Sequence, residues 1–237
     1  MCKYIKYIGI IICLFSQTTA YATGIAIDKI YLPYVEPLER EIEYRALRFE
    51  GGDPKNDNIQ KHKLAYGQAL SEKWFGEVYI MGSNPNDGDF DIDGYELEAK
   101  WQATEQGEYA FDVGFLFELE REEHDDVWEL AGALLLTKEL GKFVSTANIF
   151  LIIEDSKTFG RESESAANLQ VRYRLSPSFE PAIEIYRAED TFGIGPVIMG
   201  TERISIGQKI HWELGVIAGV LHDMPDTTIK GLIEYEF

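Results

Sequence analysis

Cysteine is nearly absent from this 237-residue chain. The only two, Cys2 and Cys13, lie within the first 22 residues. That stretch has Lys3 and Lys6, an apolar run from Tyr7 to Phe15, and then Ala20-Tyr21-Ala22. A charged start, a short apolar run and an A-x-A site read as a secretory signal peptide over residues 1–22, cleaved on export. The apolar run is too short to cross a bilayer, which takes about 20 residues. Cys13 lies inside that run, so it does not fit a lipoprotein site. The exported chain is then left without thiol or disulfide chemistry in an oxidising compartment. Basic residues are also few, 22 Lys and Arg against 41 Asp and Glu, for a net charge of −19. Losing Lys3 and Lys6 takes it to −21, which excludes nucleic acid as a partner. Past residue 22 there is no run long and apolar enough for a membrane helix. There is also no phosphate-binding loop, dinucleotide fingerprint or zinc-type Cys/His spacing, and no cofactor is implied.

What the chain has is alternation. In 94–102, Tyr95, Leu97, Ala99 and Trp101 alternate with Glu96, Glu98, Lys100 and Gln102. In 39–49, Ile42, Tyr44 and Ala46 alternate with Glu41, Glu43 and Arg45. A period of two over such lengths marks strands with two unlike faces. Similar segments are 62–70, 74–82, 108–120, 127–137, 142–154, 167–175, 179–188, 194–205, 209–222 and 227–237, about twelve in all. Pro196 and two glycines blur the pattern of 194–205. Residues 23–38 are not clearly a strand and form a separate N-terminal segment, periplasmic or lumenal. Residues 39–237 make up the strand-rich domain.

The connections alternate too. "SEK", "TEQG", "KELG", "SPS" and "GQ" are short; between them come longer acidic or polar stretches such as "EGGDPKNDNIQ", "SNPNDGDFDID" and "DSKTFGRESES". Tight turns at one rim and longer loops at the other are the layout of a transmembrane antiparallel up-and-down β-barrel. The fold class expected is therefore all-β, with both chain ends on the turn side.

The chain closes on "GLIEYEF", where Ile229, Gly231, Ile233, Tyr235 and Phe237 share one face. This ending resembles the β-signal of Gram-negative outer-membrane proteins, and the whole is similar to small transporter- or porin-like barrels. The resemblance implies an outer-membrane location amid lipid and lipopolysaccharide. It also implies reading of Tyr235 and Phe237 by the barrel-assembly machinery.

If the apolar face meets lipid, the other face lines a lumen. The residues expected to line it and set selectivity are Glu43, Arg45, Glu96, Glu98, Lys100, Asp112, Glu118, Arg172, Arg174, Glu184, Glu213, Lys230 and Glu234. Two readings of these charges stand side by side: an ion-pair network filling a narrow barrel, or a hydrated pore preferring cations. The first supports a non-conducting structural or interaction barrel with acidic loops; the second supports a channel for small polar or cationic solutes. Asp89, Asp91, Asp93 and Gly94 match the start of a calcium loop, but the twelfth position is Lys100 rather than Glu. A third reading, an outer-membrane hydrolase, rests on His124-Asp125-Asp126 and His222-Asp223. No serine motif accompanies His62 or any other histidine, so a barrel phospholipase is disfavoured, and no catalytic set is assigned. A folded barrel of this kind should migrate faster on a detergent gel before heating than after. Equal mobility, with the chain in the soluble periplasmic fraction, would rule the barrel out.

Overall fold

The computed structural model describes residues 27–52, 58–84, 88–123, 126–158, 160–221 and 224–237. Residues 1–22, expected to be a leader, and His124, Asp125, His222 and Asp223 lie outside them. The chain folds into twelve antiparallel strands: β1 Arg40–Glu50, β2 Gln60–Ala69, β3 Trp74–Asn84, β4 Asp91–Gln102, β5 Asp112–Glu122, β6 Val127–Leu140, β7 Phe143–Ser156, β8 Gly160–Tyr173, β9 Glu180–Arg187, β10 Phe192–Ser205, β11 Gln208–Gly219 and β12 Thr227–Glu236. Each pairs with its sequence neighbours, and β12 returns to pair with β1, closing a transmembrane barrel. Along that seam Ile42 lies opposite Tyr235 and Tyr44 opposite Ile233. The Phe237 N–H donates to the Arg40 carbonyl at 2.8 Å, so the last residue completes the ladder.

The blurred segment containing Pro196 is a full strand, β10. Pro196 faces outward opposite Ile183. Its neighbour Gly195 is there for space, since a Cβ would come within 1.9 Å of the Val216 carbonyl oxygen on β11. Two boundaries differ most from those the alternation suggests. β5 starts at Asp112 rather than 108, so residues 103–111 form a long connection at the turn rim. The stretch expected as the loop "DSKTFGRESES" is mostly strand, because β7 runs to Ser156 and β8 begins at Gly160. Beyond the apolar band both faces of these strands are polar, as Arg161 and Ser163 outside and Glu162 and Glu164 inside show. Such a strand carries no hydrophobic alternation to read.

The outer face exposes large apolar side chains over the middle of the barrel, among them Val78, Ile80, Leu97, Leu130, Leu151 and Ile233. At the turn rim aromatic rings stack, across neighbouring strands from β3 to β5 and along the end of β12. Trp74 lies 5.9 Å from Trp101, Trp101 lies 5.6 Å from Phe115, and Tyr235 lies 5.5 Å from Phe237. This is the interfacial girdle of a membrane barrel.

The inside is not uniformly polar. Phe49, Tyr79, Leu116, Leu135, Tyr186, Val197 and Ile217 all face inward and are buried. Residues 27–38 thread among them. Ile27 and Ile30 join Tyr186, Val197, Met199 and Ile217 in one core. Tyr31 joins Leu116, Leu135 and Phe150 in another. Pro33 presses on the wall at Gly114, where a Cβ would meet its ring carbon at 2.9 Å.

Deleting Phe237 removes the last ladder bond and the ring stacked on Tyr235. The shortened chain should accumulate unassembled in the periplasm, as read by the heat-dependent mobility of the membrane fraction. Full assembly would show that the terminus is not the recognition element.

Candidate functional site

Glu41, Glu43 and Arg45 alternate inward from β1, and the N-terminal segment lies against them. Lys29 Nζ pairs with Glu43 and, at 3.1 Å, with Glu234 of β12. The Arg45 guanidinium pairs with Glu43 through Nε, with Asp28 at 3.1 Å and with Glu98 of β4 at 3.7 Å. It also lies over the Tyr79 ring, 4.9 Å from its centroid. Lys63 of β2 holds Asp28 at 3.2 Å and Glu96 at 2.8 Å. From β12, beside β1, Lys230 donates to Glu184 at 2.9 Å, to Tyr186 Oη at 3.0 Å and to the Asp28 carbonyl at 3.2 Å. Burial opposes the charge on Asp28, but Arg45 and Lys63 outweigh it and hold the carboxyl well below its ordinary value. Burial also opposes the Lys29 ammonium; Glu43 and Glu234 outweigh it and hold its pKa well above the ordinary one.

The segment's backbone is satisfied as well. The Tyr31 N–H donates to Asn148 Oδ1 at 2.7 Å and the Asn148 amide returns a bond to the Tyr31 carbonyl at 2.9 Å. The Val35 N–H donates to Gln102 Oε1 at 2.8 Å. The Tyr31 and Tyr34 hydroxyls donate to Glu98 and Asp112 at 2.6 and 2.7 Å. An irregular chain at membrane depth must have its polar groups answered by protein, and inward side chains answer these.

Of the thirteen residues read from the sequence as lumenal, twelve sit on the inner faces of strands and Arg174 follows the end of β8, and they do not act as one lining. Glu43, Arg45, Glu98 and Glu234 surround Asp28 and Lys29. Glu184, Glu213 and Lys230 form a second cluster, with Lys230 at 3.6 Å from Glu213. Nearer the turn rim, Arg172 pairs with Glu180 at 3.1 Å and Arg174 with Glu139 at 2.6 Å. Asp112 accepts from Tyr34, and Lys100 lies over the Phe75 ring. Glu96 and Glu118 line a cavity of about 190 Å³ between the segment and the loop rim.

Asp89, Asp91 and Asp93 do not converge. Among the described residues, the carboxylate triads whose oxygens lie within 4.8 Å of one another are Glu36/Glu39/Glu236, Glu41/Glu43/Glu77 and Glu96/Glu98/Glu118. The Asp93 carboxylate instead accepts from the Ser83 hydroxyl at 3.0 Å. The sequence reading missed Asp28, Lys29 and Tyr31, because a segment without period-two pattern gives no face to assign. It also passed over Asn148, whose inward position follows from the alternation of β7 alone.

No protein-family model matches this chain, and no curated protein matches it. Solved structures do. The KdgM porin in complex with disordered oligogalacturonate aligns with a TM-score of 0.55 and 10% identity, over 83% of this chain and 98% of that one. An outer-membrane channel from Pseudomonas putida F1 aligns with a TM-score of 0.59 and 14% identity, over 89% and 98%. The translocator domain of the autotransporter NalP from Neisseria meningitidis aligns with a TM-score of 0.55 and 8% identity, over 86% and 88%. At these identities the likeness is one of fold.

Removing one partner of a buried charge network leaves the others uncompensated, which costs about 3–5 kcal/mol. Arg45→Met should therefore lower the unfolding free energy of the detergent-folded barrel by about that much in a urea titration. Lys157→Met, at a largely exposed pair with Asp126, should leave it nearly unchanged. Equal effects would show that the Arg45 cluster is not a stabilising network.

Proposed function

We propose that this barrel is a channel of the Gram-negative outer membrane for small polar or cationic solutes, with its lumen narrowed by residues 27–38. The observation that carries this reading is the inner wall: its charged residues are mostly acids, and it is crossed by a segment that is not part of the barrel. Fixed acids in a low-dielectric tube raise the local concentration of cations and repel anions. An oligogalacturonate, the polyanion named with KdgM, is the wrong charge for this wall. On this reading lipid and lipopolysaccharide cover the exposed apolar band, the loop rim faces outside, and the assembly machinery reads Tyr235 and Phe237. Residues 1–22 are the leader that brings the chain to the periplasm.

The ion-pair reading and the pore reading apply to different parts of the lumen. Around Lys29, Arg45 and Lys230 the charges are locked in pairs. Toward the loop rim, the cavity lies beside Glu120, Glu129 and Glu154, which have no ion-pair partner among the described residues. The hydrolase reading rests on His124 and His222, which lie outside the described residues, and no observation favours it.

The test is single-channel recording in planar bilayers under a salt gradient, comparing the chain from residue 23 with one lacking 23–38. The longer chain should give small cation-selective steps, and the shorter one steps several-fold larger with the same sign of selectivity. Silence from both, with heat-modifiable mobility intact, would establish the non-conducting barrel instead. Anion selectivity would overturn the charge argument.

A further inference from the structure

The register of β4 to β8 sets inward-facing glutamates side by side. Glu96 is opposite Glu120, Glu120 opposite Glu129, Glu129 opposite Glu154, and Glu154 opposite Glu162. Five carboxylates thus form one row across five adjacent strands. Like charges directly opposite on a sheet are destabilising. Lys63 answers the row at one end, through Glu96 at 2.8 Å. For Glu120, Glu129, Glu154 and Glu162 no cation lies within ion-pair distance among the described residues.

Two further features point to something that meets this row. Asn168, 95% buried on the neighbouring inner wall of β8, has an Oδ1 without a hydrogen-bond donor, and it lines the cavity. Glu154, 93% buried and also lining the cavity, has an Oε2 in the same condition. Buried acceptors of this kind are ordinarily satisfied. Both need donors, and a neutral amide and a carboxylate are met together by a ligand rich in N–H groups. On the side of the row Phe150, Ile152, Val127 and Ala166 lie beside the acids, while Lys29, Arg45, Lys61, His62 and Lys63 line the other side of the cavity; acids still outnumber the lysines and arginine among its lining residues.

We propose that this cavity binds a linear oligoamine, with successive ammonium groups on Glu120, Glu129 and Glu154, members of the row that line it, and its methylenes on Phe150 and Ile152. The spacing supports it. Neighbouring strands lie about 4.8 Å apart, so the carboxylates repeat at roughly that interval along the row. Three- and four-methylene spacers hold successive amines about 5–6 Å apart by ordinary bond lengths. The cavity of about 190 Å³ has room for roughly a dozen water-sized groups, the size of a triamine. A single metal ion suits the row poorly, because its carboxylates are spread along a line rather than gathered around a point. The proposal names a substrate class for the channel described above and rests on that reading for transport, but not for binding.

The experiment is calorimetric titration of the detergent-folded full-length mature chain with spermidine, and separately with Mg²⁺ at matched ionic strength, followed by bilayer recording on the same preparations. Spermidine should bind one to one and at least tenfold tighter than Mg²⁺. Glu129→Gln with Glu154→Gln should weaken it at least tenfold, and Asn168→Leu should weaken it several-fold. Glu202→Gln, on the outer surface, should leave it unchanged. The double glutamine variant relieves like-charge repulsion, so it should fold at least as well as the parent; its heat-dependent mobility checks this. Equal binding of Mg²⁺, or spermidine binding indifferent to the Glu129 and Glu154 changes, would overturn the proposal. Conductance without spermidine binding would overturn it while leaving the channel reading intact. Binding without conductance would sustain it and overturn the channel.

Discussion

A strand in hydrocarbon cannot leave its edge unpaired. Every backbone N–H and C=O at that depth needs a protein partner, and for a sheet the only complete answer is closure. The seam between β1 and β12 is where this chain meets the requirement. Ten residues of β1 are paired with β12, and the terminal Phe237 N–H reaches the Arg40 carbonyl. Closure in turn fixes which side chains point in, because a slip of one residue would exchange the faces of a whole strand. The outer apolar band, the aromatic girdle and the inner charges all follow from that one ladder.

Inside, the barrel has to dispose of charges that lipid would not tolerate. It does so unevenly. On the side formed by β1, β2, β9, β11 and β12, cations and acids meet one to several: Lys29 with Glu43 and Glu234, Arg45 with Asp28 and Glu98, Lys230 with Glu184 and Glu213. Buried pairs of this kind add little net stability but are costly to break. Their effect is to define a position, and that position is held for residues 27–38. The segment contributes Asp28 and Lys29 to the network and its own apolar residues to two cores. It is therefore part of the interior packing, although it belongs to no strand.

The opposite wall, β4 to β8, is different in kind. Along the glutamate row the register aligns acids with acids, with Phe150 and Ile152 beside them and Lys61 and Lys63 on the far side of the cavity; only nearer the turn rim do Arg172 and Arg174 pair with Glu180 and Glu139. The lumen thus has a paired side and an acidic side, with the segment lying between them and the cavity open toward the loops. For a chain with a large excess of acids, this is where the excess becomes local. A field concentrated in one stretch of a narrow tube acts on passing ions far more strongly than the same charge spread over a surface.

The alternation in 39–49, 94–102 and 227–237 determined much of this. A strict period of two, with Glu or Lys opposite Tyr, Leu or Trp, leaves a strand only one way to sit between lipid and lumen. The barrel, its twelve strands and the inward side of Glu43, Glu96 or Lys230 were legible for that reason. Strand ends were less so: Glu162 and Glu164 lie in a stretch polar on both faces, where no period distinguishes strand from loop. Residues 23–38 lacked any pattern, so the place of 27–38 in the lumen came from contacts with Asn148, Gln102 and Glu98, each more than 60 positions away in the chain. The partners of the inner charges are of the same sort. One sequence tells which face Glu129 is on, because that depends on its neighbours along the strand. That Glu129 faces Glu154 rather than a lysine depends on the register between strands, which only the closed tertiary structure decides.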